Sequence, residues 1–406
     1  MTKILWTGPI NGLGYGQASA GYAAGLLHHK ALAGHVNIGN VNPDDPEVMS
    51  GECTSQIVKA KLPDSANVKG ETPSVGFWHF THSHEIANGT PRIIMSTFEV
   101  DDFPPPIIEA LNEFDAIGTA STWGEKILKT HFPDKHIFSS PHAFSLMGNH
   151  PVSPHASREA RLKKWSENLG FNLKDDTQII SNIGKFETRK GHYELLDTVI
   201  EIGKTRPILL AASWFNPFMK GHYPSFAMHA RDMTPVLTDS LPYVYEKGQA
   251  IMVLLPRVSS KDGLIDIMRN TDTYVSASYC EGWDLPLFEM MSHGMHCIAT
   301  LNTAHIDYCD KKNTTPMTTF KVEKAKDDTP FFSGNGTWNK ICPNELRHCI
   351  DLAHTMGEDK RRTIGNAAEV SCRKFSWAKS ASKIIQTVET VQSSMSITTQ
   401  PSGPNV

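Results

Sequence analysis

Ser276-Ala277-Ser278-Tyr279-Cys280-Glu281-Gly282-Trp283-Asp284-Leu285-Pro286-Leu287-Phe288-Glu289 decides how this chain is read. Thr273 to Ser278 is β-rich and reads as a buried parallel strand, while Pro286 suits the first turn of a helix, where its missing N–H costs nothing. The loop between them points free amides outward from the carboxyl edge of a sheet. Successive N–H groups and a helix dipole hold an anion there, and open α/β sheets bind their ligands at that edge. Glu281 on the loop and Glu289 on the helix frame the site, so each reaches a different ring of hydroxyls on one ligand. A phosphate with a sugar at either end is a nucleotide-sugar.

Outside this stretch the chain is ordinary. Its 406 residues, 39% hydrophobic and 20% charged, suffice for two domains with separate cores. A net charge of -4 gives no global attraction to nucleic acid or acidic membrane. Arg161-Leu162-Lys163-Lys164 and Lys360-Arg361-Arg362 read as solvated helix faces. Seven scattered cysteines form neither C-x-x-C pairs nor a disulfide framework, which fits a reduced cytoplasm. No apolar run approaches the roughly 20 residues of a membrane span.

Lys3 to Thr7 reads as a strand, followed by a loop with Gly12, Gly14 and Gly16 and a helix from Gln17 to His29. Glycine removes side chains where backbone approaches a ligand, and the helix start favours a phosphate. A dinucleotide fingerprint needs G-x-G-x-x-G and an acid after the second strand, His35 to Val41. This chain has G-x-G-x-G and no such acid, which argues against an oxidoreductase. Ser74 to Phe80 reads as a strand ending in a cluster of His79, His82 and His84. A metal site needs a third ligand that the sequence does not localise, so the cluster reads as solvated or cleft-edge.

Glu281-x7-Glu289, with Gly282 and Leu285-Pro286 inside it and His293-Gly294-Met295-His296 after it, resembles the EX7E motif of family 4 retaining glycosyltransferases. The resemblance runs from the glycine loop to Trp377. It implies an α/β GT-B fold of two Rossmann-like domains facing a central cleft. Residues 1–152 form an acceptor-side domain and 153–376 a nucleotide-sugar domain. A helix over 377–392 crosses back to the first domain, and 393–406 is a disordered tail.

In Gly184-Lys185-Phe186-Glu187-Thr188-Arg189-Lys190-Gly191, Lys185 stands where the family has arginine and Lys190 matches its lysine. Both then neutralise the donor diphosphate and the charge that develops as it leaves. Glu281 falls near the transferred sugar and Glu289 on the ribose, with Gly282, Trp283, Asp284 and Leu285 between them in the donor site. Val258 contacts the base through backbone atoms, and Gly12, Gly14 and Gly16 close over the donor phosphate. Thr97-Phe98-Glu99 with Pro104 resembles the family's F-E-T-D-x-x-P segment, which places Glu99 near the reacting hydroxyl. An acid stabilising the dipole of the following helix is an equal reading of Glu99.

The implied partners are a nucleotide-sugar donor and a hydroxyl acceptor, which is a saccharide, a lipid-linked sugar or a hydroxylated base in DNA. For DNA, the clusters near Lys126 to Lys135 and Arg158 to Lys164 are the segments that would track phosphates. No metal is expected, because cations and helix ends supply the positive charge. The rivals are a nucleotide-sugar epimerase or hydrolase of the same build, and a non-catalytic binding protein.

Overall fold

The computed structural model describes residues 2–39, 71–148, 155–215, 224–237, 242–258, 261–326 and 335–398. The expected linker at 151–154, the helix cap at Ser259 and Ser260, most of the aromatic excursion after Trp214 and the chain beyond 398 lie outside those residues. The chain divides into two compact units, one of Met1–Asn149 with Phe375–Val406 and one of His150–Lys374.

The first unit is built on six strands: β1 (Ile4–Gly8), β2 (Leu32–Asn37), β3 (Ser74–Phe77), β4 (Arg92–Ser96), β5 (Ala116–Thr119) and β6 (His136–Ser139). All pair in parallel, in the order β2-β1-β3-β4-β5-β6. Parallel strands covered on both faces need near-continuous apolar runs. On one face Trp6, Tyr22 and Phe77 pack with Trp377, Ala381, Ile384 and Val388 of the last helix. On the other, Ile94 and Ile117 pack with Phe98, Phe103 and Phe114. Ser121 caps helix Thr122–His131, accepting a hydrogen bond from the Gly124 amide.

Three expectations shift here. Helix α1 runs Gly14–His28, so Gly14 and Gly16 belong to its first turn and not to a free loop. β3 stops at Phe77, and Phe80–Glu85 is a 3-10 helix that carries His82 and His84. The last helix runs Trp377–Thr398, so 393–398 continue it, contrary to the expected tail.

The second unit holds β7 (Gln178–Lys185), β8 (Ile208–Phe215), β9 (Thr234–Leu237), β10 (Tyr243–Lys247), β11 (Ala250–Leu254), β12 (Thr273–Ser276), β13 (Cys297–Thr300) and β14 (Thr315–Met317). Their order is β14-β13-β12-β7-β8-β11-β10-β9. β9 and β10 are antiparallel additions at one edge. β14 lies in the polar stretch from Asn313 to Asn339, which reads from sequence as a surface insertion, and β15 (Phe320–Lys324) pairs antiparallel with β16 (Thr337–Ile341). The chain leaves β7 to one side for β8 and β11, then returns to the other side for β12. The crevice at the carboxyl ends of β7 and β12 is therefore a topological switch point, where α/β sheets bind ligands.

Several cations of the basic clusters are paired within their own unit. Arg161 lies 2.9 Å and Arg158 3.7 Å from buried Asp272, and Lys164 pairs with Asp266. Lys135 donates to the Asn112 and Phe114 carbonyls, Lys129 lies 2.6 Å from Glu125, and buried Arg361 donates to the Ala353 carbonyl. Arg361 and Arg161 are thus interior groups and not solvated faces.

Candidate functional site

The site grows from two loops at the switch point. β7 ends at Lys185 and passes into a short 3-10 turn, Thr188–Lys190, that closes on Gly191 at φ 65°. Only glycine takes this conformation freely, and the neighbouring loop presses close as well. A Cβ on Gly191 would stand 2.1 Å from the Ala277 carbonyl oxygen just past β12. Gly191→Ala is expected to cost about 3 kcal/mol, read as a lower urea midpoint at unchanged m-value. An unchanged midpoint would mean the two loops are not packed as described.

Across that contact the loops exchange charges. Lys190 Nζ lies 2.5 Å from Glu281 Oε1 and 3.6 Å from Asp284 Oδ1. Arg189 lies 3.1 Å from the same Glu281 oxygen and 3.0 Å from Glu187, and Lys185 lies 2.8 Å from Glu187. Among the described residues, three cations thus face three carboxylates, and all except Lys185, 36% exposed at its side chain, are buried. Burial opposes the charge on Lys190, but Asp284 and Glu281 outweigh it and hold its pKa above the ordinary lysine value. Burial likewise opposes ionisation of Asp284, yet Lys190 and then His305 keep its carboxyl well below the usual range. Glu187 is held down to about 2, where Arg189 and Lys185 overcome its burial.

Asp284 adopts φ 72° just before helix Leu285–Ser292, accepts from Ser276 Oγ at 2.7 Å and sits 3.3 Å from His305 Nε2. Its side chain is locked on three sides. Pro286 occupies the helix's first turn, as its fixed φ predicts. Glu289 follows inside the same helix, and its pKa is raised to about 7, first by burial and then by the charge on Asp284.

That shift predicts a pH dependence. A raised folded pKa means stability present below about pH 4.5 and lost as pH rises through about 7, so Glu289→Gln should raise the melting temperature of the unliganded protein near pH 8. A ligand whose hydroxyls donate to Glu289 favours the carboxylate. Its affinity should therefore fall about tenfold from roughly pH 8 to roughly pH 6, and the glutamine variant should flatten that difference. Titration calorimetry at both pH values checks this, and equal slopes in the two proteins would refute it.

The other expected positions fall in different places. Trp283 is 2% exposed and packs against Phe288 and Tyr308, so its indole braces the loop from the core. The loop amides are not all free either, since the Glu281 N–H donates to Thr303 Oγ1 at 3.0 Å. Gly282 is buried, and Leu285 opens the helix. Past the end of β11, the Val258 N–H donates to Ser213 Oγ of β8 at 3.0 Å, so that amide is taken.

In the first unit, a Cβ on Gly16 would fall 2.4 Å from the Asn11 carbonyl oxygen. Its small size is required by packing there. The Gly12 carbonyl accepts from Gln17 Nε2, and Gly14 is exposed. Glu99 is half-buried beyond β4. Its charge reaches Tyr15, whose hydroxyl pKa is raised first by burial and then by Glu99. Tyr15 packs against His79 at 4.1 Å between ring centroids, which ties that histidine into an aromatic cluster. No group of three or more metal-ligating side chains occurs among the described residues.

Sequence reasoning overlooked Arg189, Glu187 and His305. The available signal was the alternation Glu187-Thr188-Arg189 directly before Lys190, in a loop already assigned to the site.

No protein-family model and no curated protein sequence matches this chain. Solved structures do. Sucrose-phosphate synthase from Thermosynechococcus elongatus superposes with a TM-score of 0.64 at 13% identity, over 97% of this chain and 100% of that one. HepE from Anabaena, in complex with UDP and glucose, gives 0.59 at 11% identity over 96% and 100%. A glycosyltransferase from Rickettsia africae gives 0.55 at 13% identity over 96% and 98%. The chain has the GT-B fold of these glycosyltransferases, with two Rossmann-like units.

Proposed function

We propose that this protein is a retaining glycosyltransferase of the family 4 type, acting in the cytoplasm, which moves a sugar from a nucleotide-sugar to a hydroxyl acceptor without a metal ion. The carrying observation is the meeting of Lys190 with Glu281 and Asp284 at a switch point, directly ahead of a helix N-terminus. Cations and a helix start suit a diphosphate, and carboxylates suit sugar hydroxyls. The solved structure of HepE with UDP and glucose has the same fold.

In this reading Lys185 and Lys190 neutralise the diphosphate, Glu281 serves the transferred sugar, and Glu289 accepts from the ribose. The bond from the anomeric carbon to the phosphate oxygen breaks, and its electron pair leaves with the diphosphate. The acceptor oxygen bonds that carbon on the same face, and its proton passes to a diphosphate oxygen. Glu99 is the first unit's candidate near the acceptor hydroxyl.

A thermal-shift panel of nucleoside diphosphates and nucleotide-sugars in chelator tests the donor. At least one should raise the melting temperature, since a ligand at large excess over Kd stabilises by about RT ln([L]/Kd). No shift from any of them would refute the donor site, and a shift that needs added divalent metal would refute metal independence. Incubation with donor alone separates the rivals, because fast sugar release or epimerisation without acceptor would make the enzyme a hydrolase or epimerase.

A further inference from the structure

Glu281 carries two cations on one oxygen, and the two are held differently. Arg189 is 4% exposed at its side chain and is fixed from several directions: Glu187 at 3.0 Å, Glu281 at 3.1 Å and the Cys280 carbonyl at 3.3 Å. Its own carbonyl accepts from the Tyr279 amide at 2.7 Å, so Arg189 also ties its turn to the segment that carries Glu281. Lys190 is a single ammonium on a flexible stem, shared between Glu281 and Asp284.

A diphosphate entering this crevice meets, among the described residues, three cations already paired with three carboxylates. Beyond the pull of the helix start, it gains attraction by drawing a cation off a carboxylate. Arg189 is the costly one to move, because its planar fork would give up Glu187, Glu281 and the Cys280 carbonyl together, whereas Lys190 can swing on its stem while Arg189 stays on Glu281 and Ser276 and His305 stay on Asp284. Lys190 is the cheap one.

Resting on the proposed transferase function, we infer that Arg189 is a positioning residue. It holds Glu281 in place while Lys190 exchanges Glu281 for the donor diphosphate, and Glu187 anchors Arg189 for that task. Arg189 therefore acts on turnover through Glu281 and is not itself a ligand of the nucleotide. Two cations on one carboxylate then have separate purposes, one that stays and one that leaves.

The test uses the full chain and the nucleotide-sugar that the wild-type protein turns over. Arg189→Met should lower kcat about a hundredfold and weaken the Kd for the free nucleoside diphosphate far less, by no more than about fivefold, the general effect of one positive charge lost nearby. Arg189→Lys, which keeps the charge but loses the planar fork, should recover part of kcat. Glu187→Gln leaves Arg189 in place with a weaker anchor and should lower kcat less than Arg189→Met. It keeps the idea testable if the methionine variant does not fold.

A merely structural Arg189 would lower the melting temperature and leave kcat per folded molecule unchanged, and that result overturns the inference. So does a Kd that weakens as much as kcat, which would make Arg189 a diphosphate ligand. A wild-type protein that turns over no donor would instead refute the transferase reading.

Discussion

Lys190→Ala should lower turnover by a factor of about a thousand, in line with the loss of one preorganised charge at a developing anion. The ammonium sits 2.5 Å from Glu281 and 3.6 Å from Asp284, so removing it withdraws the cation that both carboxylates share. The network then carries a net negative charge where a diphosphate must bind. Breaking a buried pair also costs about 3–5 kcal/mol of stability, so the assay must be normalised to folded protein.

Lys185→Arg is the matched control. Lys185 is partly exposed and pairs with Glu187, and arginine keeps its charge, so turnover should stay within about threefold of wild type. If Lys185→Arg abolished turnover while Lys190→Ala did not, the assignment of this loop to the diphosphate would be wrong.

The parts of the fold that were legible in the sequence are those set by local physics. The strand, loop and helix around Glu281 could be read because Tyr274, Val275 and Ala277 are apolar, a proline starts the helix, and the interval between forces a tight turn. The parallel sheets came from the same logic of apolar runs bounded by glycine and polar residues. β9 could not be read, because its four residues are all exposed and include a proline, so no burial pattern marks it. β14 is three residues long in a polar stretch.

The charged turn is the more instructive case. Glu187, Arg189 and Lys190 look like a solvated turn when taken alone. They are buried because the loop after β12, about 90 positions further along, brings Glu281 and Asp284 against them. Pairing at that sequence distance is a tertiary fact with no local signature. The same holds for the Trp283 indole, whose packing into the core has no local mark in the sequence.

The division of labour between the two glutamates yields the sharpest remaining expectation, because their environments are opposite. Glu289 is half-buried, and first burial and then the Asp284 charge raise its pKa to about 7. Near pH 8, Glu289→Gln replaces charge-assisted bonds to ribose hydroxyls with neutral ones, and it should weaken free nucleoside diphosphate and intact donor alike by about 1–3 kcal/mol. Glu281 is locked between Arg189 and Lys190. Glu281→Gln removes one negative charge from a balanced network, so it should leave free nucleoside diphosphate binding unchanged or tighter. Turnover should nevertheless fall by about a hundredfold, since a hydroxyl bond that strengthens as positive charge builds on the sugar ring acts mainly in the transition state. Calorimetric titration of the nucleoside diphosphate into both variants, alongside their kcat values, decides the matter. Equal weakening of the nucleotide by both variants would show that Glu281 belongs to the nucleotide and not to the sugar.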